Sequence, residues 1–230
     1  MTNPQPDPMP PAAEPLQPEQ PDLRLDFYPG YIIRTVFDGL AICQTALDPH
    51  DVAVALSDAA IASPILATAC GEVLFWSRQD GHDQIGLYHR PARWTLQLAG
   101  SQPLTIPLPG LLFIGHYAQY WLFACKERPT APTSRLYLPP CPNLFDSGQV
   151  CRGNVPFPAC TMATIADAFQ LFLTGSEFNN HLSRRRCRSY PENCLTLWQK
   201  LAGKRRFPHS ELLPAGSLTL QQVREQCRQR

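Results

Sequence analysis

Asn143 and Cys151 stand eight residues apart in the run Cys141-Pro142-Asn143-Leu144-Phe145-Asp146-Ser147-Gly148-Gln149-Val150-Cys151, and that spacing outlines a nucleophilic chemistry. Pro142, Asp146, Ser147 and Gly148 make the intervening stretch rich in turn formers, so the chain can fold back and bring the Asn143 carboxamide near the Cys151 sulfur. A thiolate and an N–H donor would then face one reacting carbonyl, the thiolate attacking its carbon and the donor holding the oxyanion. Arg152 places a positive charge beside Cys151, which favours the thiolate. Gly148 and Gly153 would keep the loop open to a partner's chain. Taken singly, Asn143 reads as a turn asparagine bonded to local backbone and Cys151 as a small buried hydrophobe. It is the joint spacing, together with the flanking Leu136-Tyr137 and Pro139-Pro140, that argues for catalysis.

Other chemistries are less well supplied. Cys141, Cys160, Cys187 and Cys194, with His181 as a spare ligand, invite a zinc reading, but no Cys-x-x-Cys hook is present and no metal is expected. His181 follows Phe178 near an expected helix end, where it would line or cap the site or simply pack as a surface histidine. There is no glycine-rich phosphate loop and no Ser-His-Asp arrangement. No cofactor is expected, and any activating energy must come from elsewhere.

The elements that have to position this loop can be read from composition and periodicity. The 230 residues are 44% apolar and 17% charged, enough for one ordinary core with extensions. Residues 1–22 hold eight prolines among Gln, Glu and Asp, a composition that cannot offset its own ordering entropy, and they read as a disordered leader. They show neither the basic nor the apolar region of a secretory signal, and no stretch approaches the roughly 20 apolar residues needed to span a bilayer. The nine cysteines, an odd count, then read as reduced thiols of a cytoplasmic protein, with Cys43 and Cys70 in apolar runs and less open to alkylation than Cys151. The net charge of +1 hides an asymmetry. Residues 184–230 carry eleven Lys/Arg against Glu192, Glu211 and Glu225. The cluster Arg184-Arg185-Arg186-Cys187-Arg188 reads either as a solvated segment or as a surface for an acidic or phosphate-bearing partner.

Runs at Tyr31–Val36 and Leu40–Thr45 flank Asp38-Gly39 and predict a hairpin. Asp48-Pro49 predicts a cap and first turn for a helix over Asp51–Ala62. Strands are expected at Glu72–Ser77, over Gln84–Leu98 with a break near Pro91, and over Leu104–Phe123 with a break at Pro107–Gly110, together an antiparallel meander. Glu127–Pro142, with Pro129, Pro132, Pro139, Pro140 and Pro142, should be extended or looped and not a central strand. Met162, Ile165, Ala166, Phe169, Phe172 and Leu173 predict a helix over Thr161–Leu173, stopped by Gly175, whose apolar stripe packs on the sheet and holds the cysteine loop. Two further helices are expected at Cys194–Leu201 and Leu218–Gln226.

The central run resembles the active-site segment of ubiquitin-conjugating enzymes, in which His-Pro-Asn precedes a Gly and an Ile/Val-Cys pair at the same distance, with Cys141 standing here where those enzymes have histidine. Arg128-Pro129, Leu136-Tyr137, Pro139-Pro140, Pro142-Asn143, Gly148 to Asn154 and Pro156 resemble PRTRC system protein B, the prokaryotic ubiquitin-conjugating-like family D. So do Val73 to Trp76, Arg90 to Trp94, Phe172 to His181, Phe207-Pro208 and Ser217 to Leu220. The resemblance implies an α+β ubiquitin-conjugating-enzyme-like fold, an antiparallel meander followed by an active-site cysteine loop and C-terminal helices, spanning residues 23–183, with 184–230 as a basic helical extension packed on it. It implies Cys151 and Asn143 as catalytic residues, supported by Pro142, Gly148, Arg152, Gly153 and Asn154, with Cys141 and His181 accessory; the departure that puts Cys141 in place of the histidine sets a second thiol near Cys151 and opens a redox-sensitive pair. It implies a ThiF-type activating enzyme and a ubiquitin-like protein as partners, alongside a JAB-type peptidase and a ParB-related protein of a plasmid or mobile-element cassette. A non-catalytic binding module of the same cassette is the alternative, and a nucleic-acid accessory using the basic tail is a third class.

Overall fold

The computed structural model describes residues 22–38, 41–57, 61–63 and 72–228. The expected leader therefore lies outside the described residues but for Asp22. The chain divides into two compact units, Met1–Ser57 and Asp58–Arg230.

In the first unit, strands β1 (Leu23–Tyr28), β2 (Tyr31–Asp38) and β3 (Ala41–Leu47) form an antiparallel sheet in that order. The β2–β3 pair forms a hairpin between the two expected runs, but the register Asp38↔Ala41 makes Asp38 the last paired residue of β2 and not a residue of the turn expected at Asp38-Gly39. Helix α1 runs Pro49–Ser57, with the Asp48 carboxylate accepting the His50 N–H at 2.7 Å, which satisfies one of the amides a helix start leaves free. The helix expected over Asp51–Ala62 is thus shorter. Ile61–Ala62 is instead a strand, β4, paired in the second unit's sheet.

The second unit is a mixed α+β structure. Strands β5 (Val73–Gln79) and β6 (His82–His89) meet at Asp80-Gly81, both at positive φ, the geometry of a two-residue type I′ hairpin. The chain then leaves the sheet at Pro91 for a separate hairpin, β7 (Ala92–Leu98) and β8 (Leu104–Leu108), and returns past Pro109 as β9 (Gly110–His116) and β10 (Gln119–Cys125). Leu111 and Phe113 of β9 with Tyr120, Leu122 and Ala124 of β10 face one core. Leu112, Ile114, Trp121, Phe123 and Cys125 face the other. The period of two thus buries both faces, which explains a near-continuous apolar run where alternation would mark a one-sided sheet.

β11 (Arg135–Tyr137) lies between β10 and β13 (Pro214–Thr219), completing the order β13-β11-β10-β9-β6-β5-β4. This corrects the expectation that Glu127–Pro142 holds no inner strand. Its prolines flank Arg135–Tyr137 without entering it, and three residues with one registered partner on β10 and two on β13 make no demand a proline would refuse.

Helix α2 (Ile165–Thr174) buries Ile165, Ala168, Phe169, Phe172 and Leu173, and the Gly175 N–H closes it on Leu171 O at 2.9 Å. It starts four residues later than expected because Thr164 Oγ1 bonds Ala159 O and the Thr161 N–H, local bonds that compete with the helix. β12 (Glu177–Phe178) pairs parallel to β7 at Gln97 and Leu98. Helix α3 (Cys194–Leu201) is capped by the Asn193 side chain on Leu195 N. Helix α4 (Leu220–Arg228) covers the second core with Leu220, Val223 and Cys227, tied down by Gln84 Nε2 to Arg224 O at 2.7 Å and by Arg228 to Ser77 Oγ at 3.1 Å. No helix among the described residues is long and apolar enough to cross a membrane.

Candidate active site

Asn143 sits at φ +61, in the left-handed region that asparagine tolerates better than most residues. That sharp turn reverses the chain, and Leu144 pairs with Val150 as an isolated bridge. Inside it, Phe145 N–H bonds Gln149 O and Gly148 N–H bonds Phe145 O, each at 2.8 Å. The reversal ends where Cys151 N–H donates to Asn143 O at 2.8 Å. The eight-residue spacing is thus a miniature hairpin whose first and last residues are the asparagine and the cysteine.

The hairpin is fastened on three sides. Along β10, Val150 N–H bonds Tyr120 O at 2.8 Å and Leu122 N–H bonds Gly148 O at 2.9 Å, so the loop extends the sheet where β11 is too short to cover it. Toward the other sheet, Asn143 Nδ2 donates to Glu177 O on β12 at 2.9 Å. From beneath, Arg186 Nη2 donates to Leu144 O. Gly148, at φ +81, is required twice: its conformation is left-handed, and a Cβ there would lie 2.8 Å from Phe123 Cζ and 3.1 Å from Leu122 O.

A cleft of about 630 Å³ opens on this hairpin and is lined by Asn143, Cys151, Arg152, Gly153, Asn154, Glu177 and His181, among others. Cys151 is half-buried there. Pro142, Gly148 and Cys141 are buried beneath the loop and do not line the cleft. The Arg152 guanidinium bonds Ala118 O at 3.1 Å and Phe157 O at 3.4 Å, so it braces the segment after the cysteine. Gly153, at φ +51, has open space where a Cβ would stand.

Cys141 is fully buried, and desolvation pushes its thiol up to about 12 although the Arg186 charge opposes this. Burial likewise raises the Cys194 thiol, with Cys141 and Cys187 adding to it. Arg186 itself is lowered by burial; its side chain is 2% exposed, the solvent-exposed Asp146 carboxylate lies 3.7 Å away, and its Nε and Nη1 have no hydrogen-bond partner among the described residues. A cation in that position is costly. Its bond to the loop carbonyl is what the position provides.

Cys43, expected to be shielded, is exposed on β3, an edge strand whose residues from Ala41 to Ala46 are all exposed, apolar ones included; Cys70 lies outside the described residues. The other described cysteines apart from Cys151 are buried. Among the described residues no three His, Cys, Asp or Glu side chains converge as metal ligands.

Two contributors carry no signal of their own in the sequence. Glu177 falls only within a resembling segment, yet its carbonyl holds Asn143 and it lines the cleft. Arg186 stands in the cluster that reads either as a solvated segment or as a partner surface, and nothing local in the sequence sets it apart from Arg184.

The family described as prokaryotic E2 family D matches residues 60–215. The chain belongs to this family, and the match is consistent with a PRTRC-type protein B. No curated protein and no solved structure matches the chain.

Proposed function

We propose that the second unit is a ubiquitin-conjugating-like domain whose Cys151 accepts the C-terminus of a ubiquitin-like protein as a thioester and passes it to an amine, within a cytoplasmic PRTRC-type cassette of a plasmid or mobile element. The observation that carries this reading is the cleft that gathers Cys151 and Asn143 at the two ends of one hydrogen-bonded hairpin. In the first step the Cys151 thiolate attacks the thioester of a ThiF-type activating enzyme charged at the expense of ATP; the new C–S bond forms as the old one breaks, and the activating enzyme's thiolate leaves. In the second step an amine attacks the Cys151 thioester, a C–N bond forms, and Cys151 leaves as thiolate. The amine's proton needs an acceptor, and among the cleft-lining side chains Glu177 and His181 are the groups with that chemistry. Asn143 has a second amide N–H besides the one given to Glu177 O, and that donor is available to the oxyanion. A JAB-type peptidase and a ParB-related protein complete the set of partners.

A second reading, a non-catalytic module that holds the ubiquitin-like partner, draws support from the Asn143–Glu177 bond, which gives the asparagine a structural task. Incubation with the cognate activating enzyme, the ubiquitin-like protein and ATP, followed by addition of free lysine, separates the two. A reductant-sensitive adduct that disappears on adding lysine supports transfer; saturable binding of the ubiquitin-like protein without an adduct supports the module.

A further inference from the structure

Residues 184–230 carry eleven Lys/Arg against three Glu although the net charge of the chain is only +1, and the fold uses several of these cations internally. Arg186 is buried, Arg184 lies 3.5 Å from Glu192, Arg188 bonds Ser210 O, Arg224 lies over Phe75 and Arg228 bonds Ser77. Arg205 and Arg206 are different. Both are exposed, neither has a side-chain hydrogen bond or ion pair among the described residues, and with Arg93 of β7 and His209 they line a groove of about 760 Å³ to which no carboxylate contributes. Arg93 is exposed as well and has no side-chain hydrogen bond or ion pair among the described residues. Pro91, Ala92 and Pro107 supply apolar walls.

We propose that this groove docks an acidic segment of a partner protein, an extended stretch carrying two or more Asp or Glu side chains around an aliphatic residue. Charge complementarity selects the occupant: three guanidiniums offer forked donors that match carboxylates in pairs, and the proline walls accept an aliphatic side chain. A volume of this size holds a few residues of peptide and not a duplex. Single-stranded nucleic acid would call for exposed aromatic faces to stack on, whereas the lining aromatic, Phe207, is 8% exposed. The groove meets β7 at Ala92 and Arg93, and β12 with Glu177 meets it at Gln97 and Leu98, so roughly 13 Å of strand separates it from the wall of the cysteine cleft. It is a second contact surface, independent of whether Cys151 transfers anything.

The test is a fluorescence-anisotropy titration of the full chain with a labelled six-residue peptide of alternating glutamate and leucine, alongside the lysine–leucine counterpart and a six-nucleotide oligothymidine. The glutamate peptide should bind saturably and weaken as salt rises from about 50 to about 300 mM. The Arg93→Glu/Arg205→Glu/Arg206→Glu variant should lose about tenfold or more, and Arg184→Glu/Arg185→Glu less than about twofold. Arg205→Gln/Arg206→Gln should show an intermediate loss, which keeps the ranking readable if charge reversal disturbs folding. Absence of saturable binding at low salt, equal loss in the Arg184/Arg185 variant, or tighter binding of oligothymidine would each overturn the proposal.

Discussion

The carbonyl oxygen of Asn143 accepts the Cys151 N–H at 2.8 Å while its side-chain amide donates to Glu177 O at 2.9 Å. One residue therefore closes the cysteine hairpin with its backbone and anchors it to β12 with its side chain. Substitutions separate these tasks. Asn143→Gly keeps the left-handed turn and loses only the side chain; Asn143→Ala adds backbone strain of about 1 kcal/mol; Asn143→Asp keeps shape and loses both donors. If the amide also serves the oxyanion, all three variants should load Cys151 and discharge it about a hundredfold more slowly or worse, with the alanine variant melting lowest. Single-turnover discharge with matched thermal melts checks this ranking, and normal discharge by the glycine variant would return Asn143 to a purely structural role.

Gly148→Ala should be among the most damaging loop substitutions. It forces a left-handed alanine against Phe123 and the Leu122 carbonyl, a cost of about 1–3 kcal/mol, or a loss of several degrees in melting temperature. Gly153→Ala meets no neighbour and should cost less than Gly148→Ala. Equal melting of the two variants would contradict the packing of the loop on β10.

Arg186→Met should loosen the loop without unfolding the domain. It removes the donor to Leu144 O but also the buried cation whose Nε and Nη1 lack partners, and for buried charges these effects commonly offset. The melting temperature should move by no more than a few degrees, while Cys151 alkylates faster relative to Cys43. A collapse in melting temperature would mean the guanidinium holds the core as well as the loop.

Two histidines tie stability to pH. Burial lowers the pKa of His89, stacked on Phe169 at 3.8 Å beside Trp94 and opposed only by Glu72 at 3.3 Å. Burial lowers His116 too, its ring bonded to Asp83 O with His82 and Arg228 adding to the shift. The folded chain therefore prefers both rings neutral, and the unfolded chain binds protons first as pH falls. Their contribution is complete above the ordinary histidine value of 6.5 and is lost as pH drops through it toward the lower folded values. Urea melts at several pH values between about 7.5 and 5 should show falling stability, with a shallower fall in His89→Gln/His116→Gln. An unchanged slope in that variant would assign the pH dependence to other groups.

Local signals read from the sequence held where they depended on neighbours in the chain. Asp48 caps α1, Gly175 ends α2, and Cys194–Leu201 is helical to the residue. The Asn143–Cys151 fold-back followed from turn formers alone. What depended on distant partners was not legible. Pro91 and Pro109 break strands either way, but only the sheet itself reveals that β7 and β8 leave it between β6 and β9. Arg186 carries the same local signature as the solvated Arg184, and only the loop above it and the thiols of Cys141 and Cys194 around it make it a buried support. Glu177 acts through its carbonyl, which no side-chain pattern announces.

The proposed role of Cys151 as acceptor thiol makes a prediction about a single peptide. Its most direct measurement is peptide mapping by mass spectrometry of the chain incubated with the cognate activating enzyme, the ubiquitin-like protein and ATP, without reductant, comparing wild type with Cys151→Ala and Cys151→Ser. The predicted result is a reductant-labile adduct on the peptide containing Cys151, absent from the alanine variant and replaced in the serine variant by an oxyester that survives thiol but not hydroxylamine. An adduct carried by the exposed Cys43, or one that persists in Cys151→Ala, would contradict the account.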